Sequence, residues 1–431
     1  MRSAEVRIWN RTVGAVFWDE VRQLADFEYA PEWVETGIEL APLRMQLNAR
    51  KRIYSFPELR AHRDCFHGLP GLLADALPDR YGHALIHRWL EQQGRSKDSM
   101  NPAELLCFMG SRGMGALRFA PSMWRDQQKA TALEIEALVN ASRAALAEKQ
   151  AFEANLDQDR EQSLRSLLRI GTSAGGARPK AVIAYNPQTG ALRSGQTAAP
   201  AGFEHWLLKL DGVSDIQFGA SSGYGRVEMA YYRMAVDCGI EMMPSRLLIE
   251  NDRAHFMTRR FDRGEGALRH HMQTLCALQH WDYNDTMAFS YEGLLDTARA
   301  LRLPFQAAEQ IILRMAFNVM ARNCDDHTKN FAFMMEEGGP WKLAPAYDIC
   351  HAYRPDSVWV SRHALSVNGK RKDISRADLL AVAMTVKIRE GSWKPLFDRV
   401  KQVVERWPGY AEEQGVHPAL RDAIAATLQP L

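Results

Sequence analysis

Between residues 323 and 331 the chain reads Asn323-Cys324-Asp325-Asp326-His327-Thr328-Lys329-Asn330-Phe331. An aspartate followed five residues later by an asparagine suits phosphoryl transfer. The carboxylate of Asp325 can accept the proton of an attacking hydroxyl, and the amide oxygen of Asn330 can ligate magnesium. A further carboxylate, Asp348, follows Leu343-Ala344-Pro345-Ala346-Tyr347. A hard oxygen ligand there would complete a Mg²⁺ site bridging nucleotide phosphates. Taken singly, each aspartate could simply cap a turn. The ordered set Asp325, Asn330, Asp348, with strands between, is what points to chemistry. Asp326 sets a like charge beside Asp325 and leaves open which carboxylate works, although the spacing to Asn330 favours Asp325.

A glycine-rich stretch lies upstream, Ser173-Ala174-Gly175-Gly176-Ala177-Arg178-Pro179-Lys180. Minimal side chains at Ala174, Gly175, Gly176 and Ala177 let backbone N–H groups approach a phosphate, and Arg178 and Lys180 add positive charge. It is not a Walker loop, because Lys180 is followed by Ala181. A tight turn would explain the two glycines equally well. Lys209 is more informative, since it sits inside the apolar run Trp206-Leu207-Leu208-Lys209-Leu210. An unpaired ammonium there would be costly, so Lys209 needs an anion: a phosphate, or a carboxylate such as Glu228. The alternative is a lysine reaching solvent from an exposed strand edge.

The elements that must hold these residues are readable in outline. An apolar helix (Ile311, Leu313, Met315, Ala316, Val319, Met320) precedes the 323–331 loop, and a strand over 331–334 follows it. The chain opens as a hairpin in which Val6 and Ile8 alternate with charged residues, Asn10-Arg11-Thr12 turns, and 13–18 returns. Helical patterning starts near Gly71. Asn101-Pro102-Ala103-Glu104 predicts a helix start with a cap, a proline at the first position and a glutamate reaching back. Residues 128–169 are rich in alanine, leucine and glutamate and predict a helical connector. Strand-like segments then cover 181–185, 206–210, 246–250 and 255–258, and beyond Arg260 nearly everything reads as helix. The expected class is therefore α+β: a bilobal, protein-kinase-like fold with a small β-rich lobe, a large helical lobe and an N-terminal α+β domain packed on the small lobe. The expected boundaries are 1–125 for that domain, 126–170 for the connector, 171–260 for the small lobe and 261–431 for the large lobe. A cleft at such a join commonly holds a nucleotide.

Composition narrows the classes. The 431 residues carry 54 basic against 52 acidic side chains, a net charge of +2, which gives no support for a dedicated polyanion binder. No run of about 18 apolar residues predicts a membrane span, and the first ten residues lack the apolar core of a signal peptide. A cytoplasmic protein is expected. The six cysteines form no C-x-x-C pair. The grouping His270, His271, Cys276 and His280 fits no common zinc spacing, and packing is the better account.

Taken together, Tyr29-Ala30-Pro31-Glu32-Trp33, Leu77-Pro78-Asp79, Arg112-Gly113-Met114-Gly115-Ala116-Leu117, residues 173–180, 205–210, Arg260-Phe261-Asp262-Arg263, 325–331 and Pro345-Ala346-Tyr347-Asp348 resemble the HipA family. These are the kinase toxins of bacterial HipBA toxin–antitoxin modules, and the resemblance spans nearly the whole chain. It implies an ATP- and Mg²⁺-dependent serine/threonine protein kinase, with Asp325 as catalytic base and Asn330 and Asp348 as magnesium ligands. Lys209 would contact the phosphates, Phe261 would lie at the hinge near adenine, and His327, Lys329 and Tyr347 would line the nucleotide site. Ser173 matches the family's autophosphorylated serine, with Thr172 as its neighbour. The implied substrate is an aminoacyl-tRNA synthetase, notably glutamyl-tRNA synthetase. The implied partner is a HipB-like DNA-binding antitoxin that supplies most of the DNA contact. Arg259 stands where a hinge glutamate is expected, so only backbone contacts to adenine carry over there. Two other readings are a kinase-shaped corepressor that transfers no phosphate, and an active, non-toxic kinase with another protein target.

Overall fold

The computed structural model describes residues 1–123, 135, 138–140, 142, 179–195, 199–213, 223–266, 268–386 and 393–431. Most of the expected connector lies outside the described residues, as do Ser173, Ala174, Gly175, Gly176, Ala177 and Arg178. The chain forms two compact units. One comprises residues 1–225, 246–272 and 336–338; the other comprises 226–245, 273–335 and 339–431.

The first unit opens with an antiparallel sheet ordered β4-β3-β2-β1-β5, built from β1 (Ser3–Ile8), β2 (Arg11–Asp19), β3 (Leu24–Tyr29), β4 (Ile53–Tyr54) and β5 (Arg118–Ala120). Val6, Ile8, Val16 and Trp18 are buried, as the alternation requires. The hairpin turn falls earlier than the sequence suggested. Trp9 and Asn10 hold positive φ (46° and 62°), and Arg11 and Thr12 already belong to β2. A two-residue loop with both centres at positive φ matches the twist of the flanking strands. The indole N–H of Trp9 donates to the Arg269 carbonyl at 2.8 Å, which helps hold this unusual backbone. Strand β2 also needs its glycine, because a Cβ on Gly14 would sit 2.0 Å from the Glu28 carbonyl oxygen.

Counting the longer helices and those that bear on the site, α1 is Arg80–Gln92 and α2 is Pro102–Met109. The start of α2 is as the sequence predicts. Asn101 Oδ1 accepts from Glu104 N at 2.9 Å, and Glu104 Oε2 accepts from Asn101 N at 3.2 Å. Asp79 caps α1 by accepting from Gly82 N at 2.7 Å. Both helices pack on a second sheet, ordered β7-β6-β8-β10-β9, from β6 (Lys180–Tyr185), β7 (Leu192–Ser194), β8 (Glu204–Lys209), β9 (Ser245–Glu250) and β10 (Arg253–Arg259). Leu85, Leu90 and Phe108 share one core with Ile183, Leu208 and Met257. Every residue of β6 is buried, so both faces of that strand are covered.

The second unit is mainly helical: α3 (Tyr224–Cys238, its first two residues in the first unit), α4 (Leu275–Gln279), α5 (Tyr291–Ala300), α6 (Phe305–Met320), α7 (Arg376–Met384), α8 (Lys394–Glu405), α9 (Trp407–Glu413) and α10 (Pro418–Ala425). Its hub is Tyr231 on α3, edge-on to Phe317 at 6.1 Å and Trp407 at 5.3 Å, with its hydroxyl donating to the Ala321 carbonyl at 2.7 Å. Helix α6 is the expected apolar helix and is buried from Ile311 to Met320.

The expectation of near-continuous helix beyond Arg260 does not hold. The strand expected after the 323–331 loop is β12 (Ala332–Met335), and it joins a three-stranded sheet with β11 (His271–Thr274) and β13 (Trp341–Leu343); no helix occurs over 344–375. Strands of three or four residues are too short to write a period into the sequence. His271 is a packed side chain: burial pushes its pKa down to about 4, and the neutral ring hydrogen-bonds the Leu40 carbonyl through Nε2 at 3.0 Å. Among the described residues, no group of three or more His, Cys, Asp and Glu side chains could hold a metal, and no helix is long and apolar enough to cross a membrane.

Candidate active site

The 323–331 loop is pinned at both ends within the second unit. Helix α6 stops at Met320, and Arg322 turns the chain at a positive φ of 57°. Asn323 N then donates to the Asn318 carbonyl, and Asn323 Nδ2 to Asn318 Oδ1, each at 2.9 Å. Cys324 N donates to the Ala352 carbonyl at 3.0 Å. Downstream, Thr328 Oγ1 donates to the Trp281 carbonyl at 3.0 Å, and the Phe331 carbonyl accepts from Leu275 N at 2.8 Å. The loop is polar in sequence yet rigidly placed, because buried backbone groups must find partners.

The two adjacent aspartates have different environments. The side chain of Asp326 is 0% exposed and accepts three bonds: from Tyr291 Oη at 2.8 Å, His363 Nδ1 at 2.9 Å and Ala364 N at 2.7 Å. Burial opposes a charge on His363, but the Asp326 carboxylate outweighs it and raises the imidazole pKa to about 10. This is a buried ion pair, and it consumes Asp326. The side chain of Asp325, by contrast, is 34% exposed, with Oδ1 3.8 Å from His327 Nε2.

Asn330 donates its Nδ2–H to the Asp325 carbonyl at 2.6 Å. That bond fixes the loop across its five-residue span and commits the amide nitrogen, so the amide oxygen is the atom left for a cation. Around the loop, Tyr347 Oη donates to the Lys329 carbonyl at 2.6 Å. Lys329 Nζ lies 4.5 Å from the ring centroid of Tyr283, which is 5.4 Å from the His327 ring. Asp348 holds a positive φ of 53°, a conformation that aspartate tolerates better than most residues. The backbone before it is fixed by Ala346 N donating to the Glu241 carbonyl at 2.8 Å and by Arg314 Nη2 donating to the Ala344 carbonyl at 2.9 Å. The second unit thus gathers Asp325, His327, Lys329, Asn330, Tyr347 and Asp348 from two segments.

Lys209, Lys180 and Phe261 belong to the first unit. Lys209 ends β8 opposite Lys180 of β6 and Phe256 of β10, with Nζ 5.8 Å from the Phe256 ring centroid. The structure gives Lys180 a partner that the sequence did not suggest. Its Nζ lies 2.9 Å from Asp79 Oδ2, with both side chains buried. The charge expected at a phosphate is here matched by a carboxylate on the helix cap of α1. Replacing Lys180 by methionine strands that carboxylate and is expected to cost about 3–5 kcal/mol in urea-melt stability. Phe261 is half-buried between Arg260 and Asp262. Asp262 is fully buried and binds Arg260 through Nε at 2.8 Å and Nη2 at 2.7 Å, Arg263 Nη1 at 2.6 Å and Gly115 N at 2.6 Å. Arg259 pairs with Glu204 at 3.3 Å on the surface.

Sequence reading missed Tyr291 and His363, and it marked Asp79 without its pairing to Lys180. None lies in a local pattern with the residue it serves; His363 stands 37 positions from Asp326.

Residues 4–120 match the HipA N-terminal domain, and residues 172–407 match the HipA-like C-terminal domain. No curated protein matches the chain in sequence. Among solved structures, HipA of Shewanella oneidensis MR-1, determined in complex with HipB and its operator DNA, aligns with a TM-score of 0.68 at 17% identity, covering 98% of this chain and 94% of that one. The Helicobacter pylori proinflammatory kinase CtkA aligns with a TM-score of 0.32 at 12% identity, covering 54% of this chain and 87% of that one. The α+β architecture is that of HipA, with the N-terminal helices packed on the β-rich sheet as expected. On the two domain matches, which together span most of its length, the chain belongs to the HipA family.

Proposed function

We propose that this chain is an ATP- and Mg²⁺-dependent serine/threonine protein kinase that acts as the toxin of a toxin–antitoxin module. The observation that carries this reading is the division of labour between two neighbouring aspartates. Asp326 is neutralised inside the fold, while Asp325 stays accessible on a loop whose other end, Asn330, is bonded back to it. A base for hydroxyl deprotonation needs such access and such rigidity.

The residues present suit the groups this reaction needs. Mg²⁺ takes oxygen ligands, often one or two carboxylates or amides from the protein and the rest from water and phosphate. The Asn330 amide oxygen and the Asp348 carboxylate fit that demand. When bound, the ion would supply neutralisation of charge on the phosphates. Asp325 would accept the proton of the acceptor hydroxyl, Lys209 would hold the phosphates, and His327, Lys329 and Tyr347 would line the nucleotide. Phe261 would pack on adenine, braced by the Arg260–Asp262 bond beside it. Backbone N–H groups of Ala174, Gly175, Gly176 and Ala177, with Arg178, would cover the phosphates. Autophosphorylation at Ser173 would add about −1.5 to −2 charge and switch the enzyme off by repelling the triphosphate.

The substrate class proposed is an aminoacyl-tRNA synthetase, glutamyl-tRNA synthetase in the first place. A HipB-like antitoxin is the proposed partner and would carry most of the DNA contact. The Shewanella HipA, solved with HipB and operator DNA, supports that partnership. The decisive experiment is transfer of label from γ-labelled ATP to the protein itself and to lysate proteins. Label is expected on both, and its absence despite tight Mg·ATP binding would leave a nucleotide-holding corepressor instead.

A further inference from the structure

The segment that grips Asp326 also builds a basic pocket. Between His363 and α7 the chain folds over the 287–289 stretch, where Ser366 N donates to the Phe289 carbonyl at 3.1 Å. A shallow cavity of about 330 Å³ opens there, lined by Met287, Ser366, Gly369 and three cations, Arg362, Arg371 and Lys372. No carboxylate lines it. The neighbouring cations differ in a telling way. Lys370 is paired with Asp378 at 2.8 Å and Arg376 with Asp398 at 2.5 Å. Arg371 is committed to backbone, donating to the carbonyls of Phe289 (2.8 Å) and Ala364. Arg362 and Lys372 have no hydrogen bond or ion pair to any described residue, and Arg362 Nε is buried with its N–H unsatisfied. Burial lowers the pKa of Arg371; the carboxylates of Asp326 and Asp285 oppose this, and Arg362 adds to it. Arg362 and Arg371 line the same cavity, and the charge of Arg362 disfavours that of Arg371.

A half-buried, unmatched positive concavity is stabilised when an oxyanion enters it. We propose that this pocket docks an acidic side chain of the protein substrate. The inference rests on the kinase reading in taking the occupant to be a substrate, and it follows from place as well as charge. Arg362 immediately precedes His363 and Ala364, two of the three residues bonded to Asp326, and Asp326 is the neighbour of Asp325. An acidic residue seated on Arg362 and Lys372 would be held by the same segment that anchors the loop carrying Asp325. The pocket thereby selects acceptor serines or threonines with carboxylates near them in the folded substrate, and its shallow form suits a side chain rather than a buried small molecule.

The test uses the full chain and two fluorescent octapeptides, one rich in glutamate and one rich in lysine, read by fluorescence polarisation without nucleotide. The glutamate peptide is expected to bind wild type in a salt-sensitive way, and the double variant Arg362→Ala, Lys372→Ala about tenfold more weakly, as the loss of two charge contacts implies. The variant Arg362→Glu, Lys372→Glu is expected to prefer the lysine peptide. Thermal melts should be unchanged, since neither side chain supports the fold. Equal binding of the glutamate peptide by wild type and the alanine variant, or no binding to wild type, overturns the proposal. Repeating the titration with Asp325→Ala separates the two readings. Docking that survives in a protein unable to transfer phosphate supports the pocket whatever the fate of the kinase assignment, and transfer without docking preference sinks the pocket alone.

Discussion

Asp325→Ala is expected to lower phosphoryl transfer by about 10²–10⁴-fold, the usual contribution of a general base, while leaving the thermal midpoint near wild type. Asp326→Ala, one residue away, is expected to do the reverse: to destabilise the second unit by about 3–5 kcal/mol, and to reduce activity only through loss of the folded state. The reason lies in the partners. Asp325 makes a long 3.8 Å contact to His327 and faces solvent in part. Asp326 is buried and accepts from Tyr291, His363 and Ala364. Removing it leaves a protonated imidazole, a backbone N–H and a phenol without their acceptor. Urea melts and an ATP-transfer assay on both variants decide the matter; an Asp326→Ala protein with wild-type stability would show that the pair does not hold the loop.

The same pair sets a pH dependence. His363 has a folded pKa of about 10 against an ordinary 6.5. Its contribution to stability is thus complete below about pH 6.5, declines above it, and is gone once pH passes 10. Thermal midpoints taken from pH 6 to 10 should fall in wild type and fall less in His363→Gln, which has no proton to lose in that range.

The second large effect is expected at Asp262. This carboxylate joins two segments that the sequence reading had marked separately, Arg112-Gly113-Met114-Gly115 and Arg260-Phe261-Asp262-Arg263. It takes both Arg260 and Arg263 and the Gly115 N–H, while Arg263 Nη2 and Arg269 Nη2 donate to the Gly113 carbonyl at 3.2 and 3.1 Å. Burial alone would raise its pKa, but the guanidiniums of Arg260 and Arg263 hold it well below the usual carboxylate range. Its stabilisation is present above the ordinary pKa near 4 and is lost only in strong acid. Asp262→Ala leaves two buried guanidiniums facing each other, and a loss of about 3–5 kcal/mol is expected in a denaturant melt. Phe261 lies between Arg260 and Asp262, so ATP affinity should fall as well, measurable by calorimetric titration at a temperature where the variant is still folded.

Much of this protein could be read in its sequence, for reasons that are local. The Asn101–Glu104 capping box, the apolar helix before the 323–331 loop and the β1–β2 hairpin each depend on residues within a few positions of one another. The Asp325–Asn330 spacing is also local, and the Asn330 bond to the Asp325 carbonyl spans just those five residues. Where a local signal was weak, the reading slipped: the hairpin turn lies at Trp9-Asn10, and β11 and the helix-free stretch 344–375 broke an expected run of helix.

What only the tertiary structure decided is which charge is spent and which is available. Asp325 and Asp326 are the same residue type at adjacent positions, and in sequence only the five-residue spacing to Asn330 favours the first of them. Burial and the arrival of His363 and Tyr291 from distant segments separate them, by making one an internal counter-ion and leaving the other in contact with solvent. Lys180 follows the same logic, matched by Asp79 from another element. A side chain's electrostatic role depends on the desolvation it suffers and the charges brought against it, and both are properties of the folded chain.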